Sequence, residues 1–163
     1  MINLDDIKNI IRSTLYDIEM YSHEAEQLLM GTGAVESKYY ALKQYKGGPA
    51  RSFYQIEPST CLDNLENYLV YRKKLWSKIH KKCFVPPEII NEKDLGKLGW
   101  ILQTNIAFAV CMARIKYRRV PKPLPKLDDI DGQAKYWLKY YNAGGKGTIK
   151  KYKEAYKLIE KDI

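Results

Sequence analysis

The N-terminal part of the chain carries hydrophobic residues at helical spacing. They recur at steps of three and four residues, at Leu4, Ile7, Ile11, Leu15 and Ile18. This period predicts an amphipathic helix, and Asn3 is a suitable N-cap because its side chain can accept a hydrogen bond from a free backbone N–H group. A second helix is predicted from its cap, Ser22, to Glu36, with Gly31 and Gly33 weakening its last turn.

The next part of the chain has a segment without a period and then short helices. Residues 37–57 show no hydrophobic period and contain Gly47-Gly48-Pro49, which predicts an irregular segment. Pro58 fits the first turn of a third helix, because the first helical position needs no N–H donor. A basic helix is predicted over residues 72–82, and Pro86-Pro87 ends it.

The longest helical pattern extends over residues 95–118. Its section at 101–113 is apolar on nearly every side, which predicts a central helix surrounded by the rest of the fold. Three prolines within residues 120–129 then predict an extended connector. Two further helices are predicted, from Asp131 to Tyr141 and from a cap at Thr148 onward. The chain is therefore predicted to be mainly α-helical.

Length and charge limit the class of protein. At 163 residues the chain is expected to form a single domain, residues 1–163. Its net charge of +9 favours an anionic partner, which can be nucleic acid, a membrane surface or a bacterial cell wall. The N-terminal residues are acidic and amphipathic, unlike a secretory signal peptide. The most apolar run, residues 100–113, is too short to span a bilayer.

Cysteine and histidine do not indicate a metal or cofactor site. Cys61, Cys83 and Cys111 are widely spaced and odd in number, which favours reduced thiols over disulfides or a zinc site. His23 and His80 are isolated in the sequence from any partner for a catalytic triad. No metal and no cofactor are therefore predicted.

Glu36 is the strongest candidate for chemistry. It follows two apolar residues at the end of the predicted second helix. A carboxylic acid in apolar surroundings keeps its proton to a higher pH and can donate it to a leaving group. The alternative interpretation is a solvated surface glutamate. The tyrosines available to wall a pocket are Tyr39, Tyr40, Tyr45 and Tyr54.

Three segments carry a family resemblance. A-V-E-S at 34–37 resembles the Glu-Ser motif of soluble lytic transglycosylases and goose-type lysozymes. G-P-A-R-S-F-Y-Q-I-E-P-S-T at 48–60 is similar to their Gly-Leu-Met-Gln segment followed by Pro-x-Thr, and Y-N-A-G at 141–144 to their late Tyr-Asn-Ala-Gly motif. The order and spacing of the three segments agree with that family. The resemblance implies a mainly α, lysozyme-like domain with a central buried helix and a short loop or β-hairpin region.

The resemblance is closer still to lysozyme-like proteins carried by tailed bacteriophages. Residues 48–60, 109–125 and 136–148 resemble that group. It implies a virion protein that acts on peptidoglycan glycan strands at the host cell wall or periplasm, made in the host cytoplasm without a signal peptide. Its other partners would be virion or tail proteins.

The resemblance also implies roles for individual residues. Glu36 would be the general acid/base that cleaves the glycosidic bond. Residues that would bind or position the sugar chain are Ser37, Tyr54, Gln55, Tyr141 and Asn142. For Tyr141 and Asn142 the alternative is a core tyrosine at a helix end, followed by a capping asparagine.

The sequence favours a transglycosylase over a hydrolase. A hydrolase normally needs a second carboxylate as base or nucleophile. Glu57, Asp63 and the aspartates within 128–131 are available, but a helix-dipole role accounts for Glu57 and helix capping for the aspartate cluster. In a lytic transglycosylase, the 6-hydroxyl group of the muramic residue closes a 1,6-anhydro ring, so one acid/base suffices. The prediction is therefore a lytic transglycosylase that breaks the β-1,4 bond between N-acetylmuramic acid and N-acetylglucosamine.

Two other functions stay open. Ser52-Phe53-Tyr54 replaces the Gly-Leu-Met of the family pattern, and a serine in place of glycine narrows the groove if the glycan approaches the backbone there. This favours, as an alternative, a catalytically weakened or inactive structural protein of the phage particle. Two basic stretches, residues 73–82 and 114–122, suit nucleic acid. No nucleic-acid-binding motif accompanies them, so nucleic acid is not the predicted partner.

Overall fold

The computed structural model describes residues 2–161, and its first two helices follow the predicted pattern. Helix α1 (Leu4–Asp17) begins after Asn3, whose Oδ1 accepts a backbone hydrogen bond from the first turn at 2.8 Å. Helix α2 (His23–Ser37) begins after Ser22, whose Oγ accepts one at 3.1 Å. Both predicted caps are confirmed.

Helices account for most of the remaining chain. They follow in order as α3 (Pro58–Asn67), α4 (Lys73–Cys83), α5 (Ile89–Glu92), α6 (Leu95–Thr104), α7 (Ile106–Arg118), α8 (Ile130–Tyr136) and α9 (Ile149–Tyr156). Single 3₁₀ turns lie at Tyr45–Gly47 and Leu69–Tyr71, and a π-helical turn, Trp137–Tyr141, follows α8 directly. The prediction of a mainly α-helical fold is confirmed.

The segment between α2 and α3 is irregular, as predicted. Isolated antiparallel bridges join Lys43 to Arg51 and Arg51 to Ile56, so the segment folds back on itself without forming a strand among the described residues. Several of its residues, Ser52 and Gln55 among them, have left-handed backbone conformations. Pro58 then takes its predicted place in the first turn of α3.

The predicted helix over residues 95–118 is wrong in one respect, because the structure has two helices there. Asn105 is extended (φ −120°, ψ 97°), and α6 and α7 meet at this residue with a bend of 110°. The Asn105 side chain stabilises the corner. Its Oδ1 accepts a hydrogen bond from the N–H of Phe108 at 2.9 Å, and its Nδ2 donates to the carbonyl of Cys83 at 2.7 Å. The polar residue within the apolar run is therefore a helix cap.

Helix α7 is the central helix of the fold. Residues 108–115 are all buried, and α1, α2, α3, α4 and α6 all contact α7. The predicted range of 101–113 begins too early, because Ile101 is only partly buried and Thr104 is exposed. The core therefore forms around the half of the pattern that follows the corner.

The C-terminal helices are capped by polar side chains at their first turns. The connector at 120–129 has no regular structure, as predicted, and α8 begins one residue before the predicted start. Asp129 rather than Asp131 is the N-cap of α8, since its Oδ1 accepts a first-turn hydrogen bond at 2.8 Å. Asp131 instead pairs with Lys153 of α9 at 2.9 Å. Thr148 caps α9, as predicted.

Two glycines let α2 approach its neighbours closely. A methyl group at Gly31 would lie 2.1 Å from the hydroxyl oxygen of Tyr152, and one at Gly33 would lie 2.3 Å from the ring of Tyr39. Helix α2 continues through both glycines to Ser37. Their low helix propensity is therefore outweighed by the packing that they permit.

We expect Gly31→Ala to destabilise the fold by about 1–3 kcal/mol, the usual cost of overpacking a core. The new methyl group overlaps the hydroxyl group of Tyr152, which is fully buried and donates a hydrogen bond to Gln133 at 3.2 Å. The gain in helix propensity, about 1 kcal/mol, does not offset this cost. Chemical denaturation measures the difference. The matched control is Gly96→Ala on α6, where the nearest atom to the new methyl group is 3.4 Å away, and equal effects of the two changes would contradict the close packing.

The described residues contain no single helix that is long and apolar enough to cross a membrane. Helices α6 and α7 together meet the length and composition criterion, but they are bent by 110°. Most of α7 is buried against the other helices.

Candidate functional site

A cavity of about 290 Å³ lies beside the last turn of α2. Its walls come from α2, the irregular segment, the first turn of α3, the C-terminal part of α7 and the π-helical turn with the residues after it. The lining residues are Glu36, Gln55, Ile56, Glu57, Thr60, Lys116, Tyr141, Asn142, Ala143 and Gly145. Four of the six residues singled out by the resemblance, from three distant parts of the sequence, therefore meet in one cavity.

Glu36 lies in the last turn of α2 with its side chain partly buried. The helix ends just after it, because Lys38 adopts a left-handed backbone conformation (φ 52°). The Oε1 atom of Glu36 accepts a hydrogen bond from the indole N–H of Trp137 at 2.9 Å. Burial raises the pKa of Glu36, against the opposing effects of hydrogen bonds from Trp137 and Asn142 and of the Lys116 charge. The carboxyl group therefore keeps its proton to a higher pH than a solvated glutamate does.

Tyr141 is fixed beside Glu36 by two neighbours. Its hydroxyl group donates a hydrogen bond to the carbonyl of Tyr54 at 2.9 Å. The Lys116 ammonium group donates to the Tyr141 carbonyl at 2.6 Å and lies 4.1 Å from the centre of the Tyr141 ring. Tyr141 is thus held at its hydroxyl group and at its backbone carbonyl, and it forms a fixed wall of the cavity.

Lys116 is a site residue to which the sequence analysis assigns no role, although it lies within the segment at 109–125 that carries the resemblance. Burial lowers the pKa of its ammonium group, while the nearby carboxylates of Glu36 and Glu57 act in the opposite direction. The sequence places Lys116 in a basic stretch at the end of α7, where it resembles its solvated neighbours. One feature of the sequence could have identified Lys116. Because α7 is predicted to be the central helix, a lysine in its last turns is expected to have part of its side chain within the fold.

Glu57 is a second carboxylate of the cavity. It occupies the N-cap position of α3 in an extended conformation, and its side chain makes no capping hydrogen bond. Its Oε2 accepts a weak hydrogen bond from Ser59 Oγ at 3.4 Å. Glu57 therefore stands both at the positive end of the α3 dipole, as expected, and in the same cavity as Glu36, where a partner carboxylate was not expected.

The other acidic candidates have structural roles. Asp63 pairs with Arg119 at 2.5 Å on the exposed side of α3. Asp128 accepts a hydrogen bond from the Gln27 amide at 2.8 Å, and the next aspartate caps α8 as described above. None of these groups lines the cavity of Glu36.

Gln55 and Asn142 reach the cavity while also stabilising their own turns. The Gln55 amide donates to the Ser52 carbonyl at 2.9 Å, and its backbone is left-handed (φ 46°). The Asn142 Oδ1 accepts a hydrogen bond from the N–H of Gly147 at 2.9 Å, across the glycine turn that precedes α9. Asn142 therefore stabilises the end of the π-helical turn, as the capping alternative expected, and it also lines the cavity of Glu36.

Ser37 and Tyr54 lie outside the cavity, which corrects their expected place in a sugar-binding wall. Ser37 Oγ donates to the Gly33 carbonyl at 3.2 Å and accepts from the N–H of Tyr39 at 3.1 Å, so it closes the end of α2. One residue along a helix turns the side chain by about 100°, which points Ser37 away from the acid. The Tyr54 ring is buried in the core, and only its carbonyl supports the site, through Tyr141.

The remaining tyrosines near Glu36 in the sequence do not form its wall either. Tyr39 is buried in the core, and Tyr40 and Tyr45 are exposed; none of the three lines the cavity. The aromatic side chains that do contact the acid region, Trp137 and Tyr141, come from the distant π-helical turn.

Ser52 does not narrow the cavity, which corrects the expected effect of its replacing glycine. It is 2% exposed, does not line the cavity and has a left-handed backbone (φ 67°). Its Oγ accepts a hydrogen bond from the N–H of Tyr54 at 3.2 Å. The position favours glycine because of its backbone conformation, and serine adopts the same conformation at a cost of about 1–2 kcal/mol.

A larger cavity, about 520 Å³, lies among α1, α2, the connector and α9. Its most buried acid, Glu26, receives two hydrogen bonds from the Arg12 guanidinium group, at 2.7 and 2.8 Å. Both oxygens of this carboxylate are engaged in a structural ion pair. The cavity of Glu36 is therefore the stronger candidate for chemistry.

Comparison of the chain with protein-family models, with curated proteins and with solved structures finds no match. The function is therefore argued from the site itself.

Proposed function

We propose that the cavity around Glu36 is the active site of a lytic transglycosylase with a lysozyme-like fold. Its substrate is the glycan strand of peptidoglycan, at the β-1,4 bond between N-acetylmuramic acid and N-acetylglucosamine. The observation that carries the proposal is the partly buried carboxyl group of Glu36, with its raised pKa, in a cavity that also holds Gln55, Tyr141 and Asn142. Cleavage of a glycosidic bond needs such a proton donor at the leaving oxygen.

In the proposed reaction Glu36 acts first as an acid and then as a base. Its carboxyl proton passes to the glycosidic oxygen as the C1–O bond breaks and positive charge develops at C1. The 6-hydroxyl oxygen of the same muramic residue then bonds to C1, and its proton returns to the Glu36 carboxylate. The Trp137 hydrogen bond orients the carboxyl group, and the Lys116 charge stabilises the carboxylate formed after the first transfer.

A second candidate is hydrolysis, and the position of Glu57 favours it. In this reaction Glu57 takes a proton from water as the water oxygen bonds to C1, while Glu36 supplies the leaving group with its proton. Both carboxylates line the same cavity. Hydrolysis therefore makes activity depend on Glu57, whereas anhydro-ring closure by Glu36 does not.

Mass spectrometry of digested peptidoglycan tests the proposal. We expect muropeptides that end in 1,6-anhydro-N-acetylmuramic acid, lighter by one water than the hydrolysis products. Glu57→Gln should leave this product and most of the rate unchanged, and Glu88→Gln is the control outside the cavity. The proposal would be overturned in favour of hydrolysis if the unchanged protein released only products with a reducing end and Glu57→Gln released none.

The proposal extends to where the enzyme acts. We propose that it is carried in a phage virion and opens the host cell wall locally, with other virion or tail proteins as partners. The support is the resemblance of residues 48–60, 109–125 and 136–148 to virion lysozyme-like proteins. Mass spectrometry of purified particles tests it, and the absence of this chain from particles that contain the other structural proteins would contradict it.

A further inference from the structure

Helix α4 carries a charge pattern that the proposed active site does not use. It packs on α1, α7 and the 3₁₀ turn at Leu69–Tyr71. Its buried face consists of Trp76, Ile79 and Cys83. Lysines spaced by four and three residues share another face, since residues at these spacings are neighbours on a helix surface. They are Lys74, Lys78 and Lys81.

Much of the positive charge of α4 is not neutralised within the molecule. Lys78 pairs with Glu19, and Lys82 pairs with Asp17, both at 2.5 Å. Three further lysines are exposed and have no acidic group within ion-pair distance among residues 2–161, namely Lys73, Lys74 and Lys81. These three charges are available to an anionic partner.

Exposed aromatic rings flank these lysines at both ends of α4. Tyr71 precedes the helix and is 77% exposed, and Phe84 follows it and is 94% exposed. Phe84 has a left-handed backbone (φ 53°) and ends the helix. Phe84 is the most exposed large hydrophobic side chain of the described residues. An apolar ring held in water is an unused contact that a partner surface can bury.

We propose that the α4 surface, consisting of Tyr71, Lys73, Lys74, Lys81 and Phe84, docks on an anionic phospholipid bilayer. Lysines attract anionic headgroups, and each contributes about 1 kcal/mol near such a surface. Aromatic rings bind at the headgroup level, where an apolar body enters the interface. The surface thus combines the two features that hold a peripheral protein on a membrane.

The spacing of the rings favours a bilayer over nucleic acid. Helix α4 has 11 residues, which at 1.5 Å each places about 16 Å of helix between Tyr71 and Phe84. Proteins that bind single strands stack successive bases on aromatic side chains along a basic groove. Two rings at opposite ends of a convex helix do not form such a groove, whereas a flat lipid surface can contact both ends.

Co-sedimentation with lipid vesicles tests the proposal. The full chain should bind vesicles of phosphatidylcholine with phosphatidylglycerol, with an affinity that falls as salt increases, and should not bind pure phosphatidylcholine. Lys74→Gln/Lys81→Gln should weaken binding about thirtyfold, from about 1 kcal/mol per lysine. Phe84→Ser should weaken it about tenfold through the loss of apolar contact. All three substituted side chains are exposed, so the melting temperature should stay unchanged.

Matched controls lie on other helices. Lys150→Gln/Lys157→Gln changes two exposed lysines on and just after α9, which packs on α2 and α8, and Trp100→Ser removes a ring that is 65% exposed on α6. Both should bind vesicles like the unchanged protein, as should Glu36→Gln, because docking does not depend on the proposed catalysis. Equal loss in the α4 and α9 variants, or binding to an oligonucleotide without binding to anionic vesicles, would overturn the proposal.

Discussion

Replacing Glu36 with glutamine should reduce peptidoglycan cleavage about a thousandfold, the typical contribution of a positioned general acid. Glutamine has the same shape and can still accept the Trp137 hydrogen bond through its amide oxygen, but it has no acidic proton for the glycosidic oxygen. The release of soluble muropeptides from purified cell walls measures the rate. Glu154→Gln on α9 is the matched control, because it makes the same chemical change at an exposed position. It should keep full activity.

The same variant separates loss of chemistry from loss of fold. Burial raises the pKa of Glu36, so the folded state binds this proton more tightly than the unfolded state does. The carboxyl group therefore destabilises the protein once the pH exceeds the ordinary glutamate value, about 4.3. At neutral pH Glu36→Gln should melt no lower than the unchanged protein, and any gain should vanish in acid. A lower melting temperature at neutral pH would contradict the burial argument.

Two other outcomes of the comparison between the unchanged protein and Glu36→Gln would contradict the proposed catalysis. Equal cleavage by the unchanged protein and Glu36→Gln would remove Glu36 from the reaction. If neither cleaves cell walls while both remain folded, the chain is a structural protein with an inactive site. The left-handed backbone of Ser52 does not favour that outcome, because Ser52 does not line the cavity.

Four helix starts could be predicted because they depend on local chemistry. Asn3, Ser22 and Thr148 cap helices through their own side chains, and Pro58 starts α3, so a short window of sequence contains the whole signal. The corner at Asn105 has the same signal, a capping asparagine, but apolar residues on both sides continue the period across it. Periodicity alone cannot separate one long buried helix from two that turn at a cap, since the apolar residues follow in the same order in both.

The site residues that belong to the three short motifs could be predicted, whereas those brought to the cavity by long-range packing could not. Glu36, Gln55 and Tyr141 converge as expected. Trp137 and Lys116 reach the acid only because the π-helical turn and the end of α7 lie beside α2. That proximity is long-range packing, which no spacing in the sequence encodes.

Two residues were wrongly placed in the cavity because side-chain direction also depends on the fold. Ser37 and Tyr54 adjoin true cavity residues in the sequence, yet both side chains face the interior. In a helix or a tight turn, adjacent residues point in different directions, so closeness to a motif residue does not place a side chain in its site. Glu57 was expected only to complement the α3 dipole, but it also lines the cavity. It occupies the N-cap position of α3, and this position faces the cavity.

Lys116→Met should lower cleavage about a hundredfold and move the alkaline limb of the pH–rate profile to higher pH. The ammonium group holds the Tyr141 carbonyl at 2.6 Å, and misplacing a site residue by about an ångström typically costs about that factor. Its positive charge also lowers the pKa of Glu36. Glu36 must be protonated to act as the acid, so activity falls as the pH rises through its pKa. Without the charge that pKa rises, and the fall begins at a higher pH.

The pH profile distinguishes this role of Lys116 from simple packing. Lys116→Arg keeps the charge and should return the alkaline limb toward its original position even if the rate recovers only in part. Lys150→Met on α9 removes an exposed charge far along the chain from the site and should change neither quantity. Slower cleavage by Lys116→Met with an unshifted or lowered alkaline limb would mean that Lys116 only supports Tyr141. Since the charge acts on the Glu36 carboxylate through space and the hydrogen bond acts on Tyr141 through contact, the two readouts report separate functions of one side chain.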